Sequence, residues 1–136
     1  MKVLVQKFGG SSVADVWRIK HVARKIRHVK ETHEYEGIVV VVSAMGKTTD
    51  RLVAMAKSLA THPSAREMDM LLASGEQVSI ALLTMALHEE GLEGVSLTGA
   101  QAGIVTENRH SKAKILNIHT DKIMGLLQEG KIVIVA

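Results

Sequence analysis

Gly37-Ile38-Val39-Val40-Val41-Val42-Ser43-Ala44-Met45-Gly46 is the stretch that decides the fold. An isoleucine and four valines run without a polar break. A half-exposed strand alternates apolar and polar residues. A continuous β-branched run instead fits a strand buried on both faces of a parallel sheet. The run ends in a polar loop, Ser43 to Asp50, which leads into a helix predicted over about 50–61.

Upstream, Lys2 to Phe8 reads as a second strand. Val3, Val5 and Lys7 fall on one face, and Leu4, Gln6 and Phe8 on the other. Gly9-Gly10-Ser11-Ser12 is a permissive turn. A helix follows over about 15–34, because Val16, Ile19, Val22, Ala23, Ile26 and Val29 recur at spacings of three and four. Ser12 or Asp15 would cap it. Downstream, Pro63 separates two helices. The second covers about 65–90, with an interruption expected at Ser74-Gly75. Gly94–Leu97 and Ile104–Thr106 read as short strands flanking the small-residue loop Thr98–Gly103. A last helix covers about 120–128, and Lys131–Ala136 is a final strand. Strands alternating with helices mean an α/β fold with a mainly parallel sheet.

Composition narrows the function classes. The 136 residues are 46% hydrophobic and 23% charged, which fits a globular chain of about one domain. The longest apolar runs, such as Ile38–Val42, fall far short of the roughly 20 residues of a membrane helix. Met1 to Lys7 does not make a signal peptide, since Gln6 and Lys7 follow only three apolar residues. There is no cysteine, hence no disulfide, thiolate metal site or thiol nucleophile, and a cytoplasmic setting is expected. One Trp, one Tyr and one Phe give no stacking platform for single-stranded nucleic acid. The net charge of +3 is compatible with anionic substrates.

Four stretches carry candidate chemistry. In Lys7-Phe8-Gly9-Gly10-Ser11-Ser12, a strand-end lysine precedes two glycines and two hydroxyls. Glycines let backbone amides approach an anion closely, and a following helix N-terminus adds positive potential. These are the parts of a phosphate cradle; a plain Gly-Gly turn with a solvated lysine is the alternative. It is not a Walker A loop, because the lysine comes first. Gly46-Lys47-Thr48 fails that pattern too, since Val41 stands where the earlier glycine is required. The loop Ser43 to Asp50 lies at a strand's C-terminal end, where open parallel sheets bind ligands. Its hydroxyls could instead cap a helix, through Thr48 or Thr49. In Ser74-Gly75-Glu76, a carboxylate sits beside a helix-weakening glycine. If buried, it needs a cation, either a ligand ammonium or a basic side chain such as Arg66; simple exposure is the alternative. Thr98-Gly99-Ala100-Gln101-Ala102-Gly103 implies tight packing or an interface. Arg18, Lys20, Arg24, Lys25, Arg27 and Lys30 line the first helix, which reads as a solvated face rather than a nucleic-acid patch. The seven histidines form no His-x-x-x-His pair.

Taken together, Val5-Gln6-Lys7-Phe8-Gly9-Gly10-Ser11-Ser12-Val13, Ser43-Ala44-Met45-Gly46 with Thr48-Thr49-Asp50, Arg66-Glu67-Met68-Asp69, Ser74-Gly75-Glu76 and Thr98-Gly99-Ala100-Gln101-Ala102-Gly103 resemble aspartate kinases, of the amino-acid kinase superfamily. The resemblance runs in order along essentially the whole chain. It implies a three-layer α/β/α sandwich and ATP-dependent phosphorylation of the L-aspartate side-chain carboxylate, a first step toward lysine, threonine and methionine. It implies that Lys7 stabilises the transferring phosphoryl group. Phe8, Gly9, Gly10, Ser11 and Ser43 would line the ATP phosphates. Thr49, Asp50 and Glu76 would hold aspartate, with Glu76 meeting its ammonium. Mg2+ would accompany ATP, with ligands mainly from elsewhere. Nucleic acid and membrane are not expected partners; a homo- or hetero-oligomeric parent is. Family members continue past the final strand, so residues 1–136 are expected to be the N-terminal, amino-acid-binding half of a catalytic domain. The nucleotide-binding half and the regulatory ACT domains would lie beyond. A kinase for N-acetylglutamate or glutamate, or a non-catalytic anion-binding module, are the competing expectations.

Overall fold

The computed structural model describes all 136 residues. Six strands and four helices follow one another as β1 (Val3–Phe8), α1 (Val16–Thr32), β2 (Gly37–Val42), α2 (Thr48–Leu59), α3 (Ala65–Glu89), β3 (Gly94–Leu97), β4 (Ile104–Thr106), β5 (Ile115–Ile118), α4 (Asp121–Gln128) and β6 (Ile132–Val135). A single 3-10 turn, Gly10–Val13, joins β1 to α1. The main sheet has four strands in the order β1-β2-β6-β3, all parallel. The Ile38–Val42 run is therefore an interior strand, as its composition demands. So is β6, every residue of which is buried. The chain's last strand fills the middle of the sheet rather than an edge.

Two helical layers enclose this sheet. On one face Ile19, Val22, Ala23 and Ile26 of α1 and Ile80, Leu83 and Leu87 of α3 pack on Ile38, Val40, Val42, Ile132 and Ile134. Ile26, Leu83, Leu87 and Ile134 are fully buried, and truncating one such side chain to alanine costs about 2–5 kcal/mol. On the other face only α4 is present, contributing Leu127 with Ile123, Met124 and Leu126 beside Val133 and Val135. Eight residues make a helix of about 12 Å, whereas four strands span roughly 19 Å. The second layer is accordingly thin. Val39 and Val41 are half-buried there, and Val5 at the β1 edge is 61% exposed. The expectation of a strand buried on both faces holds fully for one face of β2 and partly for the other.

Three local expectations are corrected. The α3 helix runs without a break through Ser74-Gly75. Neither Thr48 nor Thr49 caps α2: both lie inside the helix, whereas α1 is capped by one of its two expected candidates, Asp15, whose carboxylate accepts from the Arg18 N–H at 2.8 Å. Ile104–Thr106 does not join the parallel sheet. It pairs antiparallel with β5, a strand unseen in the sequence, to form a separate hairpin.

Helix α3 is also the one helix long and apolar enough, by length and composition, to cross a membrane, with a mean hydropathy of 1.5 over eighteen residues. Here its apolar stripe lies on the sheet instead.

Candidate active site

Because the strands are parallel, their C-terminal ends share one edge. That edge gathers Lys7 and Phe8 from β1, Ser43 after β2 and Thr98 after β3. Two loops predicted to carry chemistry are locked together there. The Gly46 N–H donates to the Gly10 carbonyl at 2.9 Å, and the Ser43 N–H to the Phe8 carbonyl at 3.3 Å. A Cβ on Gly10 would lie 2.9 Å from the Ala44 carbonyl oxygen, so no side chain fits. Gly9, by contrast, has open space where its side chain would be.

The cradle is built differently from the expectation of a glycine turn running straight into a helix. The 3-10 turn intervenes, and the N-terminus of α1 is already occupied by the Asp15 carboxylate, which also pairs with Arg18. The available donors are those of the turn. The Ser12 N–H bonds the Gly9 carbonyl at 3.0 Å, but none of the turn and loop bonds uses the N–H of Gly9, Gly10 or Ser11. The first amides of a helical turn have no intrahelical acceptor, which makes them ready anion donors. Lys7 stands beside them, exposed, with no ion-pair partner. Phe8 points to the opposite face and packs on the α1–α3 core, anchoring the strand end.

Helix α3 supplies the other wall. Twenty-five residues make about 37 Å of helix, against roughly 13–20 Å for the strands. The half holding Ser79 to Leu87 lies on the sheet; the half from Ala65 overhangs the edge. Gly75 marks the junction. A Cβ there would meet the Thr48 methyl at 3.1 Å and Leu52 at 3.3 Å, so the glycine lets α2 and α3 cross closely beside Ala44. Its helix-weakening cost of about 1 kcal/mol is offset by that contact.

Glu76 is exposed, the alternative to burial beside its apolar neighbours. Arg66 does not answer it, pairing instead with Glu67. Seven residues of α-helix rotate by about 700°, so Glu76 projects within roughly 20° of Leu83 and of Asp69. Leu83 is fully buried on the sheet. Glu76 thus continues the sheet-facing stripe of α3 past the strand ends, over the C-terminal edge. Thr49 and Asp50 are exposed on the first turn of α2, Asp50 lying 3.9 Å from Lys47.

The remaining charge pattern is structural. On α1, Arg27 bonds Glu31 at 2.8 Å and Glu90 at 3.2 Å, which raises its pKa above the ordinary arginine value. Arg24 also reaches Glu90, at 3.6 Å, and Lys20 sits over the Trp17 ring at 5.2 Å. These contacts tie much of the basic helix to its own protein. No three His, Asp or Glu side chains converge as metal ligands. The apolar grooves of the surface lie between α2 and the overhanging half of α3, around Met55, Leu59 and Met70, and between α1 and α3, around Leu82 and Met85; neither is lined by Lys7, Ser43 or Glu76. Sequence reasoning did not single out Asp69 individually, although it takes hydrogen bonds from residues 41 and 42 positions away.

Comparison with known proteins agrees with this architecture. Residues 2–136 match the amino acid kinase family. An aspartokinase of Geobacillus stearothermophilus is 60% identical over all 136 residues, and aspartokinase 2 of Bacillus subtilis is 54% identical over the same span. The chain spans about a third (33%) of the length of these curated relatives. Among solved structures, aspartate kinase from Synechocystis superposes with a TM-score of 0.81 at 52% identity, covering 100% of this chain and 22% of that one. An isopentenyl phosphate kinase shares the fold at a TM-score of 0.59 and 16% identity, over 98% of this chain and 57% of its own. The chain belongs to the amino acid kinase family, and along its whole length it is similar to aspartokinases.

Proposed function

We propose that this segment is the amino-acid-binding part of an aspartate kinase, which transfers the γ-phosphoryl group of ATP to the side-chain carboxylate of L-aspartate. The observation that carries the reading is the placement of two unpaired, opposite charges at one sheet edge: Lys7 beside free turn amides, and Glu76 overhanging from α3. An anion and an ammonium are the groups these would take. ATP supplies the first and the aspartate amine the second. Relatives at 60% and 54% identity bear the name aspartokinase.

The chemistry fits the residues. A carboxylate with a pKa near 3.9 is already ionised at neutral pH, so no general base is required. One of its oxygens attacks the γ-phosphorus, the bond to the β–γ bridging oxygen breaks, and ADP departs as the acyl phosphate forms. Two anions must approach each other, and Lys7 with the Gly9, Gly10 and Ser11 amides lowers that repulsion. Ser43 lines the floor between the loops. Thr49 and Asp50 flank the aspartate, with Glu76 fixing its ammonium and so aiming the distal carboxylate. The acidic residues of this segment do not fit a Mg2+ site by themselves, so the ion would be held by the ATP phosphates and by residues beyond this segment. A cytoplasmic setting and an oligomeric parent belong to the same reading.

The test uses the full-length form, in which this segment is joined to the remaining two thirds of its relatives' length. The form is incubated with ATP, Mg2+ and candidate acids, and acyl phosphate is trapped with hydroxylamine. Turnover on L-aspartate that falls about 10²-fold or more in Lys7→Ala is expected. Turnover on N-acetylglutamate or glutamate in place of aspartate would overturn the substrate assignment, and no phosphotransfer to any acid would overturn the kinase reading.

A further inference from the structure

The β4–β5 hairpin is held at both ends. At its base, the Gly103 carbonyl accepts from the His119 N–H at 2.8 Å. Gly103 has φ +93, and a Cβ there would collide with the His119 carbonyl oxygen. Only glycine fits at this closed base. At its tip, the hairpin reaches α3. The Asp69 carboxylate accepts from the Ser111 N–H at 3.1 and 3.2 Å, one contact to each oxygen, and lies 2.8 Å from His110 Nδ1. Ser111 has φ 66, the one non-glycine residue in the left-handed region. That conformation is unfavourable for a residue with a Cβ. Here it turns the N–H onto Asp69.

The latch has a particular place. Asp69 lies on the overhanging half of α3, about 10 Å along the helix from Glu76 and within roughly 20° of the same direction. The hairpin starts just after β3, at the C-terminal edge of the sheet, and ends on Asp69. It thus spans the side of α3 onto which Glu76 projects.

We propose that Asp69 is a positioning residue: by holding the hairpin tip to α3, it makes the hairpin a wall of the space that Glu76 faces, and so sets the affinity for the amino-acid substrate. The inference rests on the assignment of Glu76 to the aspartate ammonium. Asp69 touches no reacting atom. Its effect is on how tightly the amino acid is enclosed, and it leaves the phosphate cradle across the edge untouched.

The experiment uses the full-length form, with Asp69→Ala and Asp69→Asn. Amide hydrogen exchange is followed over residues 104–118, and KM and kcat are measured for aspartate and ATP. In Asp69→Ala, exchange in the hairpin accelerates, KM for aspartate rises about tenfold, and kcat and KM for ATP change by less than about threefold. Asp69→Asn keeps an oxygen for the Ser111 N–H and recovers most of the aspartate affinity. Unchanged hairpin exchange in Asp69→Ala would remove the latch. Faster exchange with an unmoved KM for aspartate would remove the wall. The unsubstituted enzyme separates the two levels: without turnover on aspartate the substrate assignment falls and takes this proposal with it, whereas turnover with an unmoved KM overturns this proposal alone.

Discussion

The Gly46 N–H donates to the Gly10 carbonyl across 2.9 Å, tying the loop after β1 to the loop after β2. Thirty-six positions separate the two residues in sequence. The bond makes one surface of Lys7–Ser11 and Ser43–Gly46, and it explains why two adjacent glycines have different tasks.

Gly10 is required by packing and Gly9 is not. Gly10→Ala would push a methyl to 2.9 Å from a backbone oxygen of Ala44, which cannot move without shifting the loop. It should destabilise the fold by about 1–3 kcal/mol. Gly9→Ala meets open space and should leave stability within about 0.5 kcal/mol. In the full-length form, the proposed phosphate-binding role of this turn predicts that it raises KM for ATP. Thermal unfolding of the two variants, side by side, checks the contrast.

Gly75 makes the same argument for the helical wall. Gly75→Ala gains about 1 kcal/mol of helix propensity but presses on Thr48 and Leu52 at 3.1 and 3.3 Å. Both neighbours are side-chain ends, so the two effects should nearly cancel. Gly75→Leu cannot be accommodated and should cost about 1–3 kcal/mol. Chemical denaturation should show a lower midpoint for Gly75→Leu and almost none of that loss for Gly75→Ala.

Asp15 should matter for stability rather than for anion binding. Asp15→Ala removes the cap on α1 and the Arg18 contact, at a cost of about 1 kcal/mol. Asp15→Asn keeps the capping oxygen and should lose a few tenths. Denaturation midpoints in the two variants check this.

Much of the sheet was legible in the residues. The Ile38–Val42 run, the Gly-Gly turn and Pro63 each act locally, and each lies where its chemistry placed it. What was misread depends on contacts distant in sequence. Gly75 looked like a helix interruption because its reason, the close crossing of α2, comes from Thr48 and Leu52. For Glu76 the apolar neighbours left burial and exposure both open, and the overhang of α3 past the sheet's edge leaves it exposed. Strand β5 gave little pattern: Ile115 and Leu116 are 60% and 64% exposed, and the strand exists through its pairing with β4. The partnership of Asp69 with Ser111 has no local signal at all. At the candidate site, the sequence offered the residue types now found along one sheet edge; the 3-10 turn that replaces a direct helix start and the overhang of α3 were not readable there.

The proposed role of Glu76 is to take the ammonium of the substrate at the sheet edge. It is tested most directly by comparing L-aspartate with N-acetyl-L-aspartate, which lacks that charge, in the full-length form and its Glu76→Gln variant. A charge-assisted hydrogen bond is worth about 1.5–3 kcal/mol, so kcat/KM on aspartate should fall by roughly 10- to 150-fold in Glu76→Gln. The preference for aspartate over the acetylated acid should shrink by a similar factor. An unchanged preference, with Glu76→Gln still folded, would contradict the account and remove Glu76 from the site.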